Sequence, residues 1–426
     1  VRVLVVGGGG REHALVWRLA RDPTIDRLFA APGNPGIARD AECVPIRADD
    51  IAAVLELVER ERIHLTVVGP EAPLVAGLSD ELAARGHLVF GPSRAAARLE
   101  SSKAWAKALC ERHAIPAARS VAVTSVADGL EALEAFEPPF VVKADGLAAG
   151  KGVVIAEDRA LAASALEDAL ESGVFGPAGS TVLVEEFLRG REVSAFALSD
   201  GRTVLPFGFA QDHKRAFDGD EGPNTGGMGA YSPVPFVDDG LAERIRAEIL
   251  EPTASAMAAE GAPYVGVLYA GLMLSADGPK VLEFNARFGD PEAQVLMPRL
   301  RSDLAELALA CAEGNLERHR ALVEPRACVT VVLASRGYPD PSETGLEIWG
   351  VTDAEALDDV LVFHAGTAER GGRVVTAGGR VLSVSGLGDT IAAARDRAYE
   401  AIHRISFDGM RYRSDIAARA AEEERA

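Results

Sequence analysis

The first hundred residues alternate short apolar runs with helically spaced segments, and this alternation constrains the fold more than any other feature of the chain. Val1–Val6 reads as a continuous apolar strand, Glu12–Arg21 has helical spacing, and Leu28–Ala31 reads as a second strand. A helix follows at Ile51–Glu61, then strands at Leu65–Val68 and His87–Phe90. Strands that alternate with helices imply a parallel, doubly wound sheet. Ligands of such sheets bind beyond the carboxyl ends of the strands. Those ends carry GGGGREH (7–13), APGNPG (31–36), GPEAPL (69–74) and GPS (91–93), all rich in Gly and Pro.

With 426 residues the chain is too long for one compact core, so several subdomains are expected. The pattern divides into an α/β segment at 1–100 and a linker helix (Lys103–His113) with a small α+β segment at 101–190. A larger α+β segment follows at 191–325, then a strand-rich segment at 326–426. The expected class is therefore α/β and α+β multidomain. Net charge is 44 − 64 = −20, whose field repels nucleic acid and anionic membrane surfaces alike. No apolar run approaches membrane-spanning length. The four cysteines are scattered singly, without C-x-x-C, which fits reduced thiols in a cytoplasmic protein. Nothing in the sequence demands a dimer, and a monomer is expected.

The turn Gly7-Gly8-Gly9-Gly10 after the first strand suggests a dinucleotide fingerprint, but G-x-G-x-x-G would place a third glycine where Glu12 stands. A Gly-rich turn at a helix N-terminus is still a ready anion site, and the adjacent Arg11 can pair a phosphate. A phosphorylated small molecule, a nicotinamide dinucleotide and a purely structural turn all remain open for this loop.

In VVKADGLAAGKGVVIAE (141–157), Lys143 ends an apolar run and Gly146, Gly150, Lys151 and Gly152 follow. A P-loop needs G-x-x-x-x-G-K-[ST]. Here one intervening residue is missing, and Gly152 stands where the hydroxyl should be. The loop also runs into Val153-Val154-Ile155, a second strand rather than a helix. The expectation is a Gly-rich hairpin, either a lid whose N–H groups and lysines face a polyphosphate or a mobile surface turn.

The strand VLEFNARFGDPE is the sharpest chemical signal. Glu283, Asn285 and Arg287 share parity and so share a face. A carboxylate and an amide oxygen two residues apart suit Mg²⁺, which takes one or two carboxylates together with substrate phosphates. Arg287 beside them would hold an anionic substrate or a transferring phosphoryl group. Elsewhere, VEEFLRGREVS can offer backbone groups to an adenine edge and Glu192 to ribose hydroxyls. GPNTGGMGAYSP invites close backbone approach, and QDHKR forms a polar wall from Asp212 to Arg215. His64 and His364 read as structural.

These strings, together with LESSKAWAK, YAGLM, GYP, VFHAGT and VTAGGRVLSV, resemble the ATP-grasp ligases, and specifically the phosphoribosylamine–glycine ligase (glycinamide ribonucleotide synthetase) family, over essentially the whole chain. The resemblance implies an ATP-binding site formed by Lys103, Lys143, Gly150, Lys151 and Gly152, with adenine against Glu185, Glu186, Phe187 and Leu188 and ribose at Glu192. It implies Mg²⁺ or Mn²⁺ at Glu283 and Asn285. The acid that many ATP-grasp enzymes carry on the preceding strand is missing from LYAGLML, and the family's G-N-G-G turn is Gly7–Gly10 here. The ribose phosphate would lie at Gly9, Arg11, Glu12, Asn34 and Glu71. Asp212, Lys214, Asn224, Thr225, Gly226, Gly227, Met228 and Asp290 would line the acceptor side, with Arg287, Lys143 and Asp212 closest to the chemistry.

The implied reaction is ATP-dependent ligation of glycine to 5-phosphoribosylamine through glycyl phosphate, a step of purine biosynthesis. Rival readings are a nicotinamide-dependent oxidoreductase, a non-catalytic nucleotide-binding protein and another ATP-grasp ligase, since a fold does not fix its acceptor.

Overall fold

A computed structural model describes residues 1–146, 152–172 and 176–425. The first segment is a five-stranded, all-parallel sheet in the order Glu42–Cys43, Arg27–Pro32, Arg2–Gly7, Leu65–Val68, Leu88–Phe90. Strand order reverses beside Arg2–Gly7, the position at which doubly wound sheets open a crevice. Val3, Leu4, Val5 and Val6 are fully buried, as a central strand covered on both faces requires. Helix starts follow local chemistry. Asp50, Ser93, Ser102 and Asp158 each accept a hydrogen bond from the backbone N–H three residues on.

The differences from the sequence reading are local. GPEAPL is not wholly loop: Glu71–Ala76 is a short helix. The first helix begins at Gly10 rather than Glu12, because the Gly-rich turn itself winds into it.

The second segment carries a four-stranded antiparallel sheet, ordered Ser120–Val123, Val182–Glu186, Phe140–Ala144, Val153–Ala156. The helix Arg159–Leu170 buries Ala162, Ala165, Leu166 and Ala169 against it. The largest sheet has eight strands. Its order is Gly278–Asn285, Val265–Ser275, Arg191–Asp200, Val204–Asp212, Gly229–Ser232, Ala327–Ala334, Arg380–Gly388, Val360–His364. Its hydrogen bonding runs unbroken from Gly229–Ser232 into Ala327–Ala334, so segments 191–325 and 326–426 share one sheet and one core. Among the described residues no helix is long and apolar enough to cross a membrane.

Candidate active site

Where the four-stranded sheet meets the eight-stranded one lies a cleft of about 1120 Å³ whose wall draws on every segment of the chain. Lys103 and Lys107 enter it from one face of the helix Lys103–Arg112, being four residues apart. Lys103 Nζ donates to the carbonyls of Gly146 (2.7 Å) and Ala144 (3.2 Å). Burial holds its pKa below the usual lysine range although Glu283 pulls the other way. Lys143 is the penultimate residue of the strand Phe140–Ala144, and its Nζ is 2.8 Å from Glu185 Oε2. Lys107 Nζ is 3.4 Å from the other oxygen of the same buried carboxylate. Glu186, Phe187, Leu188 and Gly152 line the cleft beside this group. Glu186 is also tied to Arg119, whose N–H donates to Oε1 at 2.9 Å. Gly150 and Lys151, with the tip of the hairpin expected to form a lid, lie outside the described residues.

Across the cleft Glu283 and Asn285 reach the wall from the strand Gly278–Asn285, joined by Arg287 just beyond its end. Among the described residues neither the Glu283 carboxylate nor the Asn285 amide has a side-chain hydrogen bond or ion pair. Arg287, by contrast, is clasped between Glu100 Oε1 (2.9 Å) and Glu71 Oε2 (3.2 Å). Two free hard oxygen donors beside a cationic wall fit a cation that takes its remaining ligands from phosphate and water. No cluster of three or more His, Cys, Asp or Glu able to hold a metal occurs among the described residues.

The acceptor side is built from QDHKR and the glycine-rich loop. Lys214 Nζ lies 2.9 Å from Glu192 Oε2 and 3.8 Å from Asp212 Oδ1. Lys214 therefore draws the Glu192 carboxyl below its usual range. Burial pushes Asp212 up to about 7 against the pull of Lys214, and Glu292 adds to the rise. Asn224, Thr225 and Gly226 line the cleft, as do Arg11, Glu71 and Asp290.

Five residues of the sequence reading are not on that wall. Met228 is buried in the core and Gly227 packs against Pro291. Asn34 is fully engaged within the protein: Oδ1 accepts from the Gly36 and Ile37 amides, while Nδ2 donates to the carbonyls of Gly8 and His364. Its side chain ties the first segment to the last and has no group left for a ligand. Glu12 lies beneath the Gly-rich turn, where its Oε2 accepts from Gly9 N–H at 2.7 Å. A Cβ on Gly7 or Gly69 would collide with the Glu12 side chain, at 2.5 and 2.2 Å. The third glycine of a dinucleotide fingerprint is thus replaced by a carboxylate that fills the crevice. The Arg11 amide faces Asp290 Oδ2 at 3.4 Å, so carboxylates of the chain itself occupy this helix N-terminus. The Gly9 amide, expected near the ribose phosphate, is thus already engaged by Glu12. Arg11 stays on the cleft wall, with its Nε 2.5 Å from Glu12 Oε1.

Lys107, Glu100, Arg380 and Tyr338 line the cleft without having been singled out in the sequence. The i, i+4 spacing from Lys103 is a signal for Lys107. Tyr338 and Arg380 lie within GYP and VTAGGRVLSV, strings that carry the family resemblance without assigning a role to either residue.

A small antiparallel subdomain meeting a large sheet at a lysine-lined cleft, with a free carboxylate–amide pair opposite, is the architecture of an ATP-grasp enzyme. The chain belongs to the phosphoribosylglycinamide synthetase family, whose N domain matches residues 1–100, ATP-grasp (A) domain residues 101–293 and C domain residues 328–419. The chain is 53% identical to a phosphoribosylamine–glycine ligase of Caulobacter vibrioides, with 99% of each chain covered. It is 51% identical to that of Allochromatium vinosum over 100% of both. The solved phosphoribosylamine–glycine ligase of Thermotoga maritima superposes with a TM-score of 0.87 at 36% identity, covering 98% of this chain and 100% of that one. The biotin carboxylase domain of a Hydrogenobacter thermophilus 2-oxoglutarate carboxylase, solved with MgADP, shares the fold at 15% identity and a TM-score of 0.76, over 96% and 91% of the two chains.

Proposed function

We propose that this protein joins glycine to 5-phosphoribosylamine at the expense of ATP, by way of glycyl phosphate, as a step of purine biosynthesis in the cytoplasm. The chemistry rests on one observation: a wall of lysines faces Glu283 and Asn285, unpartnered among the described residues, across a single cleft. The choice of substrates rests on the 53% identical ligase.

A glycine carboxylate oxygen attacks the γ-phosphorus, and the bond to the bridging oxygen breaks with its electron pair leaving on ADP. The amine nitrogen of 5-phosphoribosylamine then attacks the carbonyl carbon of glycyl phosphate. The carbon–oxygen bond breaks, phosphate departs with the electron pair, and the nitrogen loses a proton to give the amide. Lys103 and Lys143 hold the phosphates, Glu185 to Leu188 the adenine and Glu192 the ribose. Arg287 lies where charge grows on the transferring group. Glu283 and Asn285 would hold Mg²⁺ or Mn²⁺, which when bound supplies charge neutralisation at the phosphate oxygens. Arg11 and Glu71 take the ribose phosphate end, and Asp212, Lys214, Asn224 and Thr225 line the acceptor side, where glycine receives the phosphoryl group. Positioning in a dry, cationic site does most of the work.

The test is ADP release measured with each substrate omitted in turn. ADP is expected when glycine, 5-phosphoribosylamine and a divalent ion are all present. With hydroxylamine replacing the amine, glycine hydroxamate is expected, reporting the acyl phosphate. ADP release indifferent to glycine overturns the reading.

A further inference from the structure

We propose that Arg380 is a positioning residue for the amino-acid substrate, fixing the glycine-rich loop 222–229 against the Asp290 turn so that the two make one wall of the cleft. The inference rests on the reading of this wall as the glycine side.

Arg380 opens the strand Arg380–Gly388, more than 150 residues from the loop it holds. Its Nη1 donates to Gly226 O at 2.7 Å and Asp290 O at 2.6 Å, with Gly227 O at 3.5 Å. Tyr338, from the same C-terminal segment, accepts from Gly226 N–H at 3.0 Å. Both polar groups of the Gly226 peptide frame are thus held from one side. Glycine eases that approach: a Cβ on Gly226 would stand 3.0 Å from Arg380 Cζ and 3.3 Å from Tyr338 Oη, so that both side chains would have to give way slightly. At Gly227, where φ is +110°, a Cβ would stand 2.4 Å from Pro291 Cδ. A segment this rich in glycine has little conformational preference of its own, so its shape is imposed by partners. A guanidinium donating to two carbonyls supplies a charge-assisted constraint.

The clamp belongs to the cleft rather than to the scaffold behind it. Arg380, Tyr338, Gly226, Asn224, Thr225 and Asp290 all line it. Nε and Nη2 of Arg380 make no hydrogen bond among the described residues. The guanidinium also stands 3.4 Å from Asp290 Oδ1. Burial pulls the Asp290 carboxyl upward, yet Arg380 and Arg11 hold it below its usual range, so it faces the substrate as an anion. The ATP side of the cleft (Lys103, Lys143 and Glu185 to Leu188) is built from other elements, and removal of the clamp should leave it in place.

The experiment compares steady-state constants of the wild type with those of Arg380→Gln, Arg380→Lys and Tyr338→Phe. Arg380→Gln is expected to raise the KM for glycine by about tenfold or more while the KM for ATP moves less than about threefold, because misplacing one wall weakens what it orients. Arg380→Lys recovers part of the loss. Tyr338→Phe, which removes one hydroxyl and decides the matter if Arg380→Gln does not fold, raises the glycine KM by about threefold. Unchanged constants, or equal rises for ATP and glycine, overturn the proposal while the assigned function stands. A wild-type protein that releases no ADP with glycine and 5-phosphoribosylamine overturns both.

Discussion

Glu185 Oε2 lies 2.8 Å from Lys143 Nζ, and the carboxylate that makes this contact is only 1% exposed. Lys107 Nζ approaches its other oxygen at 3.4 Å. One buried anion therefore holds apart two ammonium groups that face the cleft. Glu185→Gln leaves those lysines uncompensated. We expect a loss of about 3 kcal/mol in stability, typical of breaking a buried pair from one side, and a rise of about tenfold or more in the KM for ATP. Denaturant unfolding and ATP titration measure the two effects. An unchanged KM for ATP would separate this pair from nucleotide binding.

Glu283 makes no hydrogen bond or ion pair among the described residues, so removing its charge breaks no direct contact, although it withdraws support from the Lys103 ammonium. Glu283→Gln should leave the melting temperature within a few degrees of wild type and lower turnover by about a hundredfold or more, as expected if Glu283 is a ligand of the proposed cation. Near-normal turnover at limiting Mg²⁺ would move the metal elsewhere.

Arg11, in the first turn of the first helix, and Asn34, in the loop after the second strand, should respond differently. Arg11 lines the cleft and pairs with Glu12. Arg11→Ala is expected to raise the KM for 5-phosphoribosylamine far more than that for ATP, and to cost about 3 kcal/mol of stability because Glu12 is left buried. Asn34 has no group free. Asn34→Ala should cost about 2 kcal/mol through its lost hydrogen bonds and leave the KM for the amine unchanged. The opposite pattern would restore Asn34 to the substrate site.

Stability should fall in mild acid. Burial, with the positive field of Arg413, pushes His213 down to about 4 from the usual 6.5, and burial with Arg39 pushes His364 down to about 3. Both are neutral in the folded protein, and His213 Nε2 accepts from Ala417 N–H at 3.1 Å. The unfolded chain takes up protons below pH 6.5 that the folded chain refuses. The contribution of His213 is therefore complete above 6.5 and is lost as pH falls toward 4, at up to ~1.4 kcal/mol per pH unit. His213→Gln keeps an acceptor without a titrating ring, so its unfolding free energy should fall less steeply over that window. Parallel pH curves for mutant and wild type would refute this.

Much of the architecture is legible because it is local. The helix Ile51–Glu61 and the strand Leu65–Val68 appear where their periodicity puts them, since the residues that decide them lie within a few turns or pleats. The Glu283–Asn285 pair is legible for the same reason: strand parity alone places both on one face. The Gly-rich turn is less legible, because the Gly9 amide is engaged by a side chain of the helix the turn starts, and the motif gives no hint that Glu12 folds back beneath it.

By itself the sequence determined the alternating elements, the spacing of the lysines and oxygen donors, and the family, all properties carried within short stretches or by the whole string of residues. Tertiary structure alone decided that Lys107 and Lys143 share Glu185, that Arg287 sits between Glu71 and Glu100, and that Arg380 holds Gly226. Those contacts join residues tens to hundreds of positions apart. What brings them together is the order of strands in a sheet and the burial of its faces, neither of which a local pattern encodes.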